Sequence, residues 1–149
     1  MYVRPRSWIL DTGSGNHLIS RDHLDPKCAT LKSGCLSLST ANGPTSTNEV
    51  LDVDCPSLGK GQTVRPYVLE DTPNVLTLGK LCAKEGYEFH WRKGQENPMF
   101  LDPSGNPLLV TCQNYVPLLH EKGVPQHALP ANKISAKTKA NIKRRLRRL

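Results

Sequence analysis

Trp8-Ile-Leu-Asp-Thr-Gly-Ser-Gly-Asn-His-Leu-Ile19 is the stretch on which the reading of this chain turns. Three apolar residues lead into a carboxylate, and a hydroxyl residue and a glycine follow it. An apolar run of this kind reads as a buried strand, and a buried strand delivers Asp11 to a fixed position. Gly13 lets backbone approach closely, and the Thr12 hydroxyl can brace the loop. A carboxylate held this way can serve as a general base toward water once its proton affinity is tuned. The plainer alternative is a solvated strand-end turn, where Asp and Gly are both common. The apolar approach and a second motif farther downstream decide against it.

Outward from this stretch, 12 Pro and 11 Gly cut the chain into short pieces, the punctuation of an all-β domain. Residues 7–10 and 17–20 read as strands on either side of the Gly-rich break at 11–15. Residues 35–40 alternate apolar and polar and stop at Ala41-Asn42-Gly43-Pro44, where Asn-Gly is a hairpin cue. Residues 49–55, 64–69 and 75–78 read as further strands, with a turn at 59–62. One helix is expected, from near Gly79 to Glu85, ended by Gly86, with Leu81, Cys82 and Leu78 facing inward. Residues 87–91, 99–101 and 108–116 complete the strands. Core signals fade from Pro117. The expected organisation is a domain over 1–120, a linker over 121–132 and a basic, helix-compatible tail over 133–149.

The chain has 149 residues, enough for one domain with a real core. Its 20 Lys+Arg against 13 Asp+Glu give +7, which invites a nucleic-acid reading until the charge is located. Every acid lies at or before Glu121, and residues 133–149 hold eight basic residues and no acid. Removing those eight leaves 12 basic against 13 acidic residues, a nearly neutral body. The tail could meet RNA or DNA phosphates non-specifically, act as a nuclear-import signal, touch an acidic membrane or be a solvated linker. No apolar run approaches the ~20 residues of a membrane span, and the first residues do not form a secretory signal. An intracellular protein, cytoplasmic or nuclear and not secreted, is expected. Cys28, Cys35, Cys55, Cys82 and Cys112 form an odd set without a C-x-x-C pair, so reduced and mostly buried thiols are expected. A zinc site from His17, His23, Cys28 and Cys35 has the wrong spacing, and no metal or other cofactor is expected.

The segment Ile9-Leu-Asp-Thr-Gly-Ser14 resembles the signature of the retropepsins, the aspartic proteases of retroviruses and retrotransposons: an apolar strand followed by Asp-Ser/Thr-Gly-Ala/Ser. Their second signature, an apolar-apolar-Gly motif that opens a short helix, is matched by Thr77, Leu78 and Gly79. Between the two, the family carries a glycine-bearing hairpin, the flap, and residues 39–47 with Asn42-Gly43 at the tip occupy that interval. The likeness is greatest to proteases of copia-type retrotransposon polyproteins. Those commonly show Asp-Ser-Gly-Ala-Ser-x-His, matched loosely by residues 11–17, an Ala-Asn-Gly flap, and a leucine-rich stretch ending in Cys-x-Lys-Gly-Tyr, matched with one insertion by residues 75–87. It runs from about Trp8 to Val116.

This resemblance implies an all-β fold with a retropepsin-like closed β-barrel, one half of an acid protease, and one short helix. It implies an aspartic endopeptidase that processes a retrotransposon polyprotein. Catalysis in the family uses two carboxylates that share a proton. One Asp-Thr-Gly per chain therefore implies a homodimer with one Asp11 from each subunit. Thr12 would brace across the dimer, Gly13 and Ser14 would complete the active-site loop, and Thr40, Ala41, Asn42 and Gly43 would close over a polypeptide substrate. The competing class is a catalytically inactive retroelement-derived binding module whose basic tail binds nucleic acid or directs nuclear import.

Overall fold

Trp8, Ile9 and Leu10 form the middle of strand β1 (Ser7–Asp11), and the sheet is built around it. In chain order follow β2 (Leu18–Ser20), β3 (Leu31–Thr40), β4 (Gly43–Val50), β5 (Val53–Asp54), β6 (Thr63–Val64), β7 (Tyr67–Leu69) and β8 (Val75–Thr77). Helix α1 (Leu78–Glu85) comes next, then β9 (Glu88–His90), β10 (Met99–Leu101), β11 (Val110–Gln113) and β12 (Val116–His120). This computed structural model describes residues 5–40 and 42–121. Ala41, residues 122–132 of the expected linker and the basic tail 133–149 lie outside the described residues.

Eight strands form one sheet in the order β11-β12-β1-β8-β2-β7-β4-β3, and β5–β6 and β9–β10 form two small ribbons. Strand β1 runs antiparallel to β12, with Trp8 opposite Leu119. It runs parallel to β8, with Ile9, Leu10 and Asp11 opposite Val75, Leu76 and Thr77. Side chains alternate across the sheet. Trp8, Leu10, Ile19, Val68, Leu76, Val110 and Leu119 enter the main core on one face, beneath Leu78, Leu81, Tyr87 and Phe100. Leu18, Leu69 and Val75 form a second cluster, with Ile9, Leu38 and Tyr67 half-buried against it. Burial on both faces explains why these strands read as apolar runs rather than alternations.

The all-β class holds, with one short helix among the described residues. The closed barrel does not. A barrel requires its end strands to pair, whereas among the described residues β3 pairs only with β4 and β11 only with β12. The far end of the sheet is spent in a long hairpin, mostly exposed along β3. The main core is sealed by packing of the small ribbons and α1, not by a continuous ladder. Among the described residues no helix is long and apolar enough to cross a membrane.

Three expected strands divide. Residues 49–55 break after Val50, and residues 64–69 break at Arg65-Pro66, where proline has no N–H to give a ladder and the Pro66 carbonyl instead accepts from Leu51 N at 3.2 Å. Residues 108–116 become a hairpin. Asn114 and Tyr115, at φ 50° and 65°, make a tight turn with two left-handed residues, whose twist suits antiparallel neighbours. The core consequently continues past Pro117, where it was expected to fade: Leu119 is fully buried. The helix begins one residue earlier than expected, with Thr77 as its N-cap, and ends as expected at Gly86, whose φ of 80° suits glycine. Only Cys55 is fully buried among the thiols; Cys35 is exposed and the other three are half-buried.

Glu121, expected to open the linker, is a buried residue of the body. Its Oε1 accepts from Trp8 Nε1 at 3.0 Å and from Cys55 Sγ at 3.2 Å, and its Oε2 accepts from Ser57 Oγ at 2.8 Å. Its backbone N–H donates to Arg6 O at 3.0 Å, extending the β1–β12 ladder. Replacing Glu121 by Ala strands three buried donors, so Glu121→Ala should lower the unfolding free energy by about 2–4 kcal/mol. Urea melts at fixed pH measure this, and a loss within experimental error of zero would contradict the anchoring role.

Candidate active site

Asp11 ends β1 directly opposite Thr77, so the parallel ladder brings the Asp-Thr-Gly and Thr-Leu-Gly motifs side by side. Asp11 Oδ1 accepts from Gly13 N at 2.7 Å, folding the chain into a tight loop after the strand. A Cβ on residue 13 would stand 3.2 Å from that same oxygen, so glycine keeps the carboxylate unobstructed. Thr12 and Gly13 are exposed and Asp11 is half-buried. Ser14 Oγ donates to Asn16 O at 2.6 Å, which closes the loop onto itself.

On the facing strand, Thr77 is buried and its Oγ1 accepts from Lys80 N at 3.5 Å, capping α1. Leu78 faces the core and is a packing residue. Gly79 is exposed, and a Cβ there would meet nothing within 4 Å. Its lack of a side chain leaves the surface beside the first helical turn bare.

His17 carries more of the site than its position in sequence suggested. The imidazole is buried, and Nδ1 accepts from Thr77 N at 3.0 Å. An accepting Nδ1 puts the proton of the neutral ring on Nε2. Burial pushes the pKa down to about 4, and the charge of Lys80 adds to the effect. Asn74 ties the same region from below: its backbone O accepts from Ile9 N at 2.8 Å and its Oδ1 from Ser20 N at 3.0 Å. With Oδ1 engaged, the amide nitrogen donates to His23 Nδ1 at 2.8 Å. Sequence reasoning missed Asn74, which follows Glu70-Asp71-Thr72-Pro73 and reads as loop; only the register explains why it is needed.

The flap-like hairpin is β3–β4. Thr40 Oγ1 donates to Gly43 O at 2.8 Å and accepts from Asn42 N at 3.2 Å, and both bonds lie within the hairpin. Gly43 adopts φ 105°, a conformation that favours glycine. The ladder is irregular between Lys32 and Leu36. Below that point Glu49 gathers Arg21, Thr30 Oγ1 and Lys32, and Arg21 and Thr30 hold its carboxyl below the usual range. Thr47 Oγ1 donates to Val68 O at 2.8 Å, tying the hairpin base to β7. The structure thus brings Asp11, Thr12, Gly13 and Ser14 together with Thr77, Leu78 and Gly79. Thr40, Asn42 and Gly43 belong to the β3–β4 hairpin, which β8, β2 and β7 separate from β1 in the sheet, and the bonds of Thr40 Oγ1 with Asn42 and Gly43 stay within that hairpin.

The chain matches no protein-family model and no curated protein. Of His17, His23, Cys28 and Cys35, His17 accepts from Thr77, His23 meets Asn74, Cys28 is half-buried and Cys35 is exposed on β3. No group of three or more His, Cys, Asp or Glu suited to a metal occurs among the described residues.

The neutral His17 gives stability a definite pH dependence. Its unfolded pKa is 6.5 and its folded value about 4, so between these values the unfolded chain binds more protons. Stability from this group is complete above pH 6.5 and falls as pH drops toward 4, by up to about 3 kcal/mol. Burial lowers the His120 pKa too, and its contribution has the same sign. Urea midpoints should decline across this interval. His17→Asn, whose amide oxygen can accept the same N–H without titrating, should show a shallower decline.

Proposed function

We propose that this chain is an aspartic endopeptidase, active as a homodimer, that processes a retrotransposon polyprotein. The observation that carries the reading is the register Asp11↔Thr77, which sets the two family-like motifs side by side on neighbouring strands. Two further features support it. An anchored hairpin with a polar tip follows β2, and Gly13 sets no Cβ against the Asp11 carboxylate.

In this reading two Asp11 carboxyls, one from each subunit, approach across a two-fold axis. Like charges this close cannot both ionise, so the pair shares one proton. The ionised member takes a proton from water as the water attacks the scissile carbonyl. The protonated member donates to the carbonyl oxygen as negative charge develops there. The Gly13 N–H, bound to Asp11 Oδ1, orients the carboxylate. Thr12 braces the loop against its counterpart, Ser14 closes it, and the hairpin tip around Thr40, Asn42 and Gly43 adds to an extended substrate as a strand. This chemistry uses side chains and water alone and runs in the cytoplasm or nucleus. The basic tail 133–149 adds a non-specific contact with RNA or DNA through phosphate charge.

Asp11→Asn should reduce cleavage of an extended polyprotein at mildly acidic pH by at least about 10³-fold, with thermal unfolding little changed. Identical cleavage by both forms, or none by either, would sink the peptidase reading and favour the binding-module alternative. Specific activity should also fall on dilution as subunits separate. Nucleic-acid retention should weaken steeply with salt and disappear on deleting 133–149; salt-insensitive binding would argue against the electrostatic tail.

A further inference from the structure

We propose that His17 is a positioning residue of this site: its neutral imidazole pins the Thr77–Gly79 corner to the segment leaving the Asp11 loop, and protonation of the ring uncouples the two. The inference rests on the peptidase reading above for its catalytic consequence, though not for its structural one.

The geometry begins with an interrupted ladder. Strands β2 and β8 share the single register pair Leu18↔Val75. Continued antiparallel by two residues along β8, the ladder would reach Thr77 opposite residue 16, inside the Asp11 loop. Instead the His17 ring takes the Thr77 N–H at 3.0 Å, standing in for a strand carbonyl. The backbone of the same residue faces the other way, its O accepting from Tyr67 N at 2.9 Å just where β7 begins to pair with β2. One residue thus ties the exit of the Asp11 loop to β8 through its side chain and to β7 through its main chain.

The link is sensitive to protonation state. A proton on Nδ1 would face the Thr77 N–H donor to donor, and the bond would be lost. Thr77 both opposes Asp11 in the ladder and caps α1, so its displacement would disturb the setting of the carboxylate. The titratable groups on the surrounding elements are Asp11 at the end of β1, Tyr67 on β7 and Lys80 in the first turn of α1, with Cys82, Lys84 and Glu85 farther along that helix. The Lys80 charge and burial both favour the neutral ring. His17 therefore remains an acceptor in mildly acidic solution and sets an acid boundary for the site.

The test compares full-length wild type, His17→Asn and His17→Leu. Amide resonances of Thr77 and Gly13 are followed by NMR, and polyprotein cleavage is followed in parallel, across the interval from 6.5 to about 4. In wild type the Thr77 amide should report one titration, which the Asn variant should lack. In His17→Leu the Thr77 amide should exchange at least roughly tenfold faster, with the Gly13 resonance displaced. The Leu variant should lose at least about tenfold in kcat with KM nearly constant. Asn should restore most of that loss, and its acid limb should lie below that of wild type. An unmoved Thr77 amide in the Leu variant, or an acid limb shared by wild type and Asn, overturns the proposal. If His17→Leu does not fold, the Asn acid limb and the wild-type Thr77 titration decide. If wild type and Asp11→Asn are equally inert, the peptidase reading fails, and the Thr77 and Gly13 resonances alone decide whether His17 makes the link.

Discussion

Parallel pairing of β1 with β8 is the constraint on which the remaining structure depends. Parallel neighbours cannot be joined by a tight turn and require a long crossover. In this chain that crossover contains β2 through β7, including the exposed hairpin. Once Ile9 meets Val75 and Asp11 meets Thr77, the rest of the local arrangement follows. Thr77 is fixed as a helix cap, α1 starts beside the carboxylate, and Leu78 and Leu81 turn into the core. With β12 on its other side, β1 becomes an interior strand, and a rigid apolar element carries the half-exposed acid.

The open sheet leaves two edges, and the molecule treats them differently. At β11 the outward N–H of Cys112 donates to the Asn97 side chain at 2.8 Å, which occupies part of the edge with a local partner. At β3 the edge is long but mostly polar, and the register irregularity between Lys32 and Leu36 bends it away from a flat template. Both are means by which edge strands avoid unwanted pairing. Beyond the anchor at Glu49 and Thr47, Leu38 packs half-buried against the second cluster while most of β3 is exposed.

Much of this was legible in the sequence because local chemistry dictated it. The short helix with its C-terminal Gly86, the Asn42-Gly43 turn and the apolar approach to Asp11 all follow from rules that operate within a few residues. What was not legible is long-range. Nothing local shows that residues 108–116 fold back at Asn114-Tyr115, because left-handed residues in a turn are less expected of Tyr than of Asn or Gly. Nor does anything local show that the next strand reaches β1. Glu121 reads as a polar residue at the start of a linker, and only its distant donors Trp8, Cys55 and Ser57 make its burial favourable. The barrel expectation failed for the same reason, since closure depends on what the end strands meet. His17 was visible as part of a motif, but its acceptor role depends on a ladder that stops at Leu18↔Val75.

The seat of β12 between β11 and β1 has a consequence for biosynthesis. Trp8 leaves the ribosome 113 residues ahead of its acceptor Glu121, and its neighbour Leu119 emerges only just before that acceptor. Pairings so distant in sequence form late and slowly. Until they form, β1 lacks its antiparallel neighbour and Trp8 Nε1 lacks its acceptor. The nascent chain therefore passes through a stage in which the strand bearing Asp11 has no antiparallel neighbour to hold it. The moment at which residue 121 clears the exit tunnel then sets the earliest time at which the site can be assembled.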